Sequence, residues 1–151
     1  MKLTICAIGR LKPGPEQDLI NRYAKRLRWG LNIVELEEKK KLSPVKLKQR
    51  EGQLLADACP DGAAIVALDE RGKQLSSLDF ANKIGNWRDQ GRDMAFLIGG
   101  ADGLASDLRK RADFVLSLGS ATWPHMLVRV MMIEQIYRVQ EILAGSPYHR
   151  E

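Results

Sequence analysis

Residues 124–143 constrain this chain more than any other stretch. Leu127, Val130, Met131, Met132, Ile133, Ile136, Tyr137, Val139, Ile142 and Leu143 recur at helical spacing. Together they cover more than one stripe, whereas a surface helix needs only one. Such a helix must be buried on two sides. A second copy of the chain, in a two-fold dimer, would supply the extra cover; the alternative is a helix sunk in a monomer core. Glu134 and Arg138 stand at i, i+4 and predict an ion pair. Pro124 suits a helix start, and Thr122, two residues earlier, is close enough to cap it.

Upstream, short apolar runs alternate with helical patterns. Strands are expected over residues 3–8, 31–37, 63–68, 94–98 and 114–118, and helices over 16–27, 44–59, 76–90, 104–112 and 124–143. Ser43-Pro44 reads as a cap followed by a first helical position, and Ser76 with Asp79 as a capping box. Asp69-Glu-Arg-Gly72 reads as a turn. Strands that are apolar on both faces, each followed by a helix, predict an α/β sheet with helices on both sides. No linker, repeat or low-complexity run divides residues 1–151.

Charge is unevenly shared. The net charge is +5, but residues 1–58 hold 13 basic and 7 acidic side chains, while residues 59–151 hold 11 and 12. The N-terminal part therefore looks like a footprint for a polyanion, nucleic acid first, although a basic balance also serves solubility. Arg22, Lys25, Arg26 and the run Lys39, Lys40 and Lys41 are the candidate phosphate contacts. Cys6 and Cys59 have no partners at metal-ligand spacing and are expected to be reduced thiols of a cytoplasmic protein. The apolar start is too short for a secretory signal, and the final helix contains Arg129, Glu134 and Arg138, so no membrane span is expected.

Two glycine loops follow predicted strands, Ile98-Gly-Gly-Ala-Asp-Gly103 and Leu116-Ser-Leu-Gly-Ser-Ala-Thr-Trp-Pro-His125. Loops beyond the carboxyl ends of parallel strands are where α/β folds hold ligands. Glycine also allows a ligand to approach backbone N–H and C=O groups. Neither loop has a dinucleotide or phosphate-loop fingerprint, and each could simply end a strand. His125 and Arg129 share a helix face next to the second loop, so His125 could orient a substrate or carry a proton. The tail Tyr148-His149-Arg150 combines stacking, hydrogen bonding and phosphate contact, as an RNA base requires.

Several short motifs occur in a fixed order: Leu68-Asp69 with Gly72-Lys73, Leu97-Ile-Gly-Gly100, Leu116-Ser117, Thr122-x-Pro-His125, Leu127-x-Arg-Val130 and Pro147-Tyr-His-Arg150. As a set they closely resemble the RlmH-type ribosomal RNA large-subunit methyltransferases, a branch of the SPOUT class. The resemblance runs the length of the chain. It implies a mostly parallel sheet whose C-terminal part forms a deep trefoil knot, and a homodimer that binds S-adenosyl-L-methionine beside the subunit interface. It also implies methylation at N3 of a pseudouridine in a 23S rRNA hairpin, helix 69, on the assembled 70S ribosome. Cofactor contacts would fall on Leu68, Gly100 and the run Gly119, Ser120, Ala121, Thr122, Trp123 and Pro124. His125, Arg129, His149 and Arg150 would serve the reaction on the RNA side, with Tyr148 holding the RNA.

Trp123 departs from the family's pattern, being bulky where a smaller residue is common. The chemistry requires no metal, because the sulfonium of the cofactor is already a methyl donor. The N3 proton must be lost, to His125, to His149 or to solvent. The alternatives are another SPOUT-class tRNA or rRNA methyltransferase, acting on tRNA or on a ribose hydroxyl, and a ribosome-associated RNA-binding protein without catalysis.

Overall fold

The computed structural model describes residues 1–150. Five strands alternate with five helices: β1 (Lys2–Ile8), α1 (Pro15–Ala24), β2 (Gly30–Leu36), α2 (Pro44–Ala58), β3 (Ala64–Lys73), α3 (Ser77–Asp89), β4 (Met94–Ile98), α4 (Ser106–Arg111), β5 (Phe114–Leu116) and α5 (His125–Leu143). The strands form one parallel sheet in the order β2-β1-β4-β3-β5. No helix is long and apolar enough to cross a membrane among the described residues.

Helices cover both faces of this sheet. On one face, Ile20 of α1, Phe80, Ala81 and Ile84 of α3, and Met132, Ile133, Ile136 and Val139 of α5 pack on Leu3, Ile5, Val66, Met94 and Phe96. On the other, Leu55 of α2 and Leu108 of α4 pack on Cys6, Ala67 and Leu97. The crossovers through α1 and α3 step one way along the sheet, and those through α2 and α4 step back. A single crossover hand requires this division. β3 and β4 thus lie side by side with their following helices on opposite faces, which opens a crevice at their carboxyl ends.

The local signals in the sequence act as expected at two helix starts. Ser43 Oγ accepts from the Lys46 N–H at 3.4 Å, with Pro44 in the first turn. Ser76 Oγ accepts from the Asp79 N–H at 3.1 Å and donates to Asp79 Oδ2 at 2.8 Å. At α5 the expectation fails. Thr122 does not cap the helix, because its hydroxyl is turned to Glu70 Oε2 at 3.4 Å, and Pro124 occupies the cap position without a side-chain bond. Helix α5 lies between α1 and α3, and this satisfies most of its apolar residues within one protomer. Val130 and Met131 stay half-buried and Leu127 is 39% exposed, leaving a short apolar stripe near the helix start.

Residues 69–72 do not simply end β3. The strand bulges outward after Leu68 and returns, so that both Leu68 and Lys73 register with Leu116. The Ser117 N–H donates to the Lys73 carbonyl at 3.0 Å and ends β5 two residues before the expected boundary. Gly72 is necessary here. A Cβ at this position would lie 2.6 Å from the Val115 carbonyl oxygen and 2.9 Å from the Leu116 carbonyl carbon. Backbone cannot yield as a flexible side chain can. Gly72→Ala is therefore expected to cost about 1–3 kcal/mol, the range for overpacking, read as a lower midpoint in denaturant unfolding. An unchanged midpoint would mean that β5 can move away from β3.

Candidate active site

A cavity of about 270 Å³ opens at the carboxyl ends of β3, β4 and β5. Three segments wall it: residues 68–71 of the β3 bulge, residues 98–103 after β4, and residues 116–128 around the start of α5. Of the expected ligand-binding residues, Leu68, Gly100, Gly119, Ala121, Thr122 and Trp123 line this cavity, as does His125. Ser120 and Pro124 belong to the same loop and are exposed, but do not line it.

The loop after β4 folds tightly on itself. The Gly103 N–H donates to the Gly100 carbonyl at 3.0 Å. A Cβ on Gly99 would meet the Gly103 backbone at 2.8 Å, so this glycine is forced by close backbone approach. Gly100 is constrained differently. Its Cβ would meet Glu51 Oε2 at 2.7 Å, the end of a buried side chain reaching over from α2. Burial, with the nearby Asp102 carboxylate, raises the Glu51 pKa.

The loop after β5 is also bonded internally. Ser117 Oγ accepts from the Gly119 N–H at 3.2 Å and donates to the Gly119 carbonyl at 2.9 Å. Gly119 holds φ of +115°, a conformation that disfavours side chains. Trp123 Nε1 donates to the Leu118 carbonyl at 3.3 Å, so the bulky indole braces the loop along one edge.

The charged wall was not legible as site in the sequence. Asp69, nearly buried, lies 3.3 Å from Arg109 Nη1 and 3.6 Å from Arg71 Nη1 and accepts the Arg71 N–H at 2.9 Å. Arg109 Nη1 also donates to the Leu104 carbonyl at 2.8 Å, tying the bulge to the loop after β4. The clues were the Leu68-Asp69 motif and three charged residues directly after an apolar strand.

His125 and Arg129 point to different surroundings. His125 lines the cavity. Burial, then the neighbouring Arg129 charge, lowers its pKa and favours the neutral imidazole. Arg129 does not face an open mouth: it is 1% exposed. Its guanidinium donates to the carbonyls of Ile8 at 2.9 Å and Gly9 at 2.6 Å and to Glu35 Oε2 at 2.6 Å. Arg129 thus fixes the first turns of α5 to the ends of β1 and β2.

The tail lies at the other end of α5. Gly145, with φ of +68°, ends the helix. Tyr148 then packs edge-on against Tyr137 at 4.8 Å and donates to Glu134 Oε1 at 3.1 Å. His149 Nδ1 lies 3.3 Å from Arg138 Nη1, and Arg138, paired with Glu134 at 2.8 Å, lies over the Tyr148 ring. Arg26 covers the Tyr137 ring at 4.3 Å. Within one protomer the tail thus packs on Glu134, Tyr137 and Arg138, about 14–20 Å of helical rise beyond His125. The expected phosphate contacts divide in the same way. Lys39, Lys40 and Lys41 follow β2 on the edge where the cavity opens, whereas Arg22, Lys25 and Arg26 stand at the end of α1 on the opposite edge.

Comparison with known proteins places this arrangement. A family model described as "Predicted SPOUT methyltransferase" matches residues 1–149. A ribosomal RNA large subunit methyltransferase H of Rhodospirillum centenum is 55% identical over 151 residues, covering 99% of both chains. Its namesake from Paracoccus denitrificans is 54% identical over 159 residues, covering 100% of both. Among solved structures, a probable methylase family protein from Haemophilus influenzae shares the fold with a TM-score of 0.55 at 10% identity, over 99% of this chain and 70% of that one. On full-length identity and fold, the chain belongs to the ribosomal RNA large subunit methyltransferase H family of SPOUT methyltransferases.

Proposed function

We propose that this protein methylates N3 of a pseudouridine in a 23S rRNA hairpin, helix 69, on the assembled 70S ribosome in the cytoplasm. The donor is S-adenosyl-L-methionine, and residues 1–151 act as a single methyltransferase unit. The observation that carries the reading is the cavity at the ends of β3, β4 and β5, walled by two glycine loops and rimmed by a neutral histidine. The fit to the cofactor rests on the loops themselves. Gly99 lets its loop close against Gly103, and Gly119 carries no side chain at the cavity, leaving backbone N–H and C=O groups for an adenosine, with Leu68, Leu116 and Leu118 as apolar lining. Bound there, the cofactor supplies an activated methyl group. A trefoil knot, proposed from the family resemblance, accords with a chain that leaves the sheet edge at β5 and returns across the cavity to place α5 over the centre.

The residues of the chain then have distinct tasks. The loop after β5 and the Asp69–Arg109 tie hold the walls. His125 can accept the N3 proton as the bond to carbon forms, because its pKa is lowered and its ring is at the cavity. Arg129 stays buried and acts by holding α5. The tail is packed against Glu134 and Arg138, away from His125 of its own protomer. A two-fold partner with its α5 antiparallel would bring its tail to this cavity.

A groove of about 550 Å³ runs along α5 from Leu118 and Gly119 to Tyr23 and Glu134, lined by Leu75, Phe80, Val130 and Met131, and offers the surface for such a homodimer. A tRNA methyltransferase or a non-catalytic binder would leave the rRNA modification intact in a deletion strain.

Mass spectrometry of rRNA from a strain lacking the gene is the direct test. The methylated pseudouridine should be absent, and should return with the wild-type gene; its persistence would refute the assignment. At residue level, Gly99→Ala should abolish cofactor uptake in calorimetry, because a backbone clash cannot relax. Gly100→Ala should weaken uptake less, because only the end of Glu51 must move. Equal losses would contradict this ranking.

If His125 accepts the proton, protonation of its ring removes activity. The acid limb of kcat/KM should then lie below the ordinary imidazole value of ~6.5 and vanish in His125→Gln. A limb unchanged in that variant would assign the proton to solvent or to His149. Finally, inactive His125→Ala and Arg150→Ala proteins, mixed and reassociated, should recover about a quarter of wild-type activity. Half of a random mixture is heterodimer, with one intact composite site each. No recovery would place both residues in one protomer's site.

A further inference from the structure

We propose that the loop between β1 and α1, residues 9–14, is an RNA phosphate contact at the rim of the cavity, with Arg10 and Lys12 as its cations and the Arg129–Glu35 pair holding it in place. The proposal rests on the rRNA reading above and adds residues to the binding surface. Location supports it first. The loop follows β1 on the sheet edge where the cavity opens. A Cβ placed on Gly9 would lie 3.6 Å from His125 Nε2, so Arg10 starts one residue from the cavity rim.

The loop is held more firmly than an exposed connection requires. The Gly9 N–H donates to the Leu36 carbonyl at 2.8 Å, and the Leu11 N–H to Glu35 Oε2 at 2.6 Å. Arg129 grips the carbonyls of Ile8 and Gly9 and donates to the same Glu35 oxygen. Burial raises the Glu35 pKa, but the Leu11 N–H and the Arg129 charge outweigh it and keep the carboxylate ionised. Pro13 and Pro15 further reduce the freedom of this segment.

The cations themselves remain available. Arg10 reaches Glu37 at 3.4 Å, but both side chains are largely exposed, and such pairs contribute little. Lys12 is exposed and makes no ion pair among the described residues. The adjacent loop on the same edge carries Lys39, Lys40 and Lys41. A fixed backbone presenting a row of cations beside the cavity matches the spaced charges of a nucleic acid strand. It also explains a fully buried arginine that touches no part of the cavity. Arg129 organises the loop, and the loop meets the RNA.

The experiment measures binding to protein-free large-subunit rRNA over a salt series, with cofactor affinity read in parallel by calorimetry. Arg10→Ala/Lys12→Ala should reduce the slope of log Kd against log salt by about 1–2, the share of two phosphate contacts, and leave cofactor affinity unchanged. Lys110→Ala/Arg111→Ala, at the end of α4, is the charge-matched control and should change the slope less. Glu35→Ala should weaken RNA binding at fixed salt, although it removes a negative charge, and Glu35→Gln should restore it by accepting the Leu11 N–H. An unchanged slope in the first variant, or an equal drop in the control, would overturn the proposal. So would weakened binding to ribosomes with wild-type behaviour on protein-free RNA, since the loop's partner would then be a protein. A wild-type enzyme that fails to methylate rRNA would instead overturn the function on which the proposal rests.

Discussion

The guanidinium of Arg129 is the interaction on which the placement of the site depends. It reaches across the sheet edge to the carbonyls of Ile8, the last residue of β1, and Gly9, just after it, and to one carboxylate of β2, and is 1% exposed. A buried charge costs several kcal/mol in desolvation, and a partner's loss leaves that cost unmet. Here three hydrogen bonds reach the two terminal nitrogens, while Nε has no partner among the described residues. The pair contributes geometry more than net stability. It fixes α5 along one line, and His125, one turn earlier, is thereby set at the cavity. The same positive charge, added to burial, holds the imidazole neutral. One buried residue thus sets both the position and the protonation state of its neighbour.

The site itself follows from where backbones must touch. In this sheet the connections after β3 and β4 leave on opposite faces, so their loops part and a crevice remains. The β3 bulge and the loop after β4 bound that crevice and are tied across it by Asp69 and Arg109. Gly72 and Gly99 are placed by backbone contacts under 3 Å, which no rotamer change relieves. The walls are therefore made rigid by main chain, and their charged side chains face solvent or one another. A ligand recognised chiefly through backbone groups is well served by such walls, because little side-chain freedom is lost on binding.

Much of this was legible in the chain. Apolar runs gave all five strands, and the proline and serine pairs gave two helix starts, because those signals act within a turn or two of helix. The failures share a cause. Thr122 looked like a cap by proximity to Pro124, but its hydroxyl found Glu70, 52 residues away. Arg129 looked like a partner for His125 at an open face, because i and i+4 share a stripe. Its actual partners lie 94 to 121 residues away, in strands whose positions the sequence does not reveal. The β3 bulge read as a turn because its charges resemble one, while the feature that returns it to the sheet is the Lys73 carbonyl bonded to Ser117. The docking of Tyr148 on Tyr137, a contact between the tail and its own helix, was not legible either.

The division of basic residues across the sheet bears on the proposed dimer. The excess of positive charge in residues 1–58 suggests one patch, but the fold splits it. The loops after β1 and β2 open on the carboxyl edge, and the end of α1 on the amino edge. Helix α5 spans the same distance, with His125 at one edge and the Arg26, Tyr148 and Arg138 cluster at the other. In a lone protomer the two basic groups face away from each other and cannot grip one hairpin beside one cavity. The proposed antiparallel pairing along the Val130 and Met131 groove would reverse this, bringing the amino edge of each protomer beside the carboxyl edge of its partner. The short exposed stripe of α5 suits such a seam in size: most of the helix is spent on the protomer's own core, and only its first two turns would be left to join the two charge groups. In the proposed pair, the basic groups of both edges would be gathered beside each cavity.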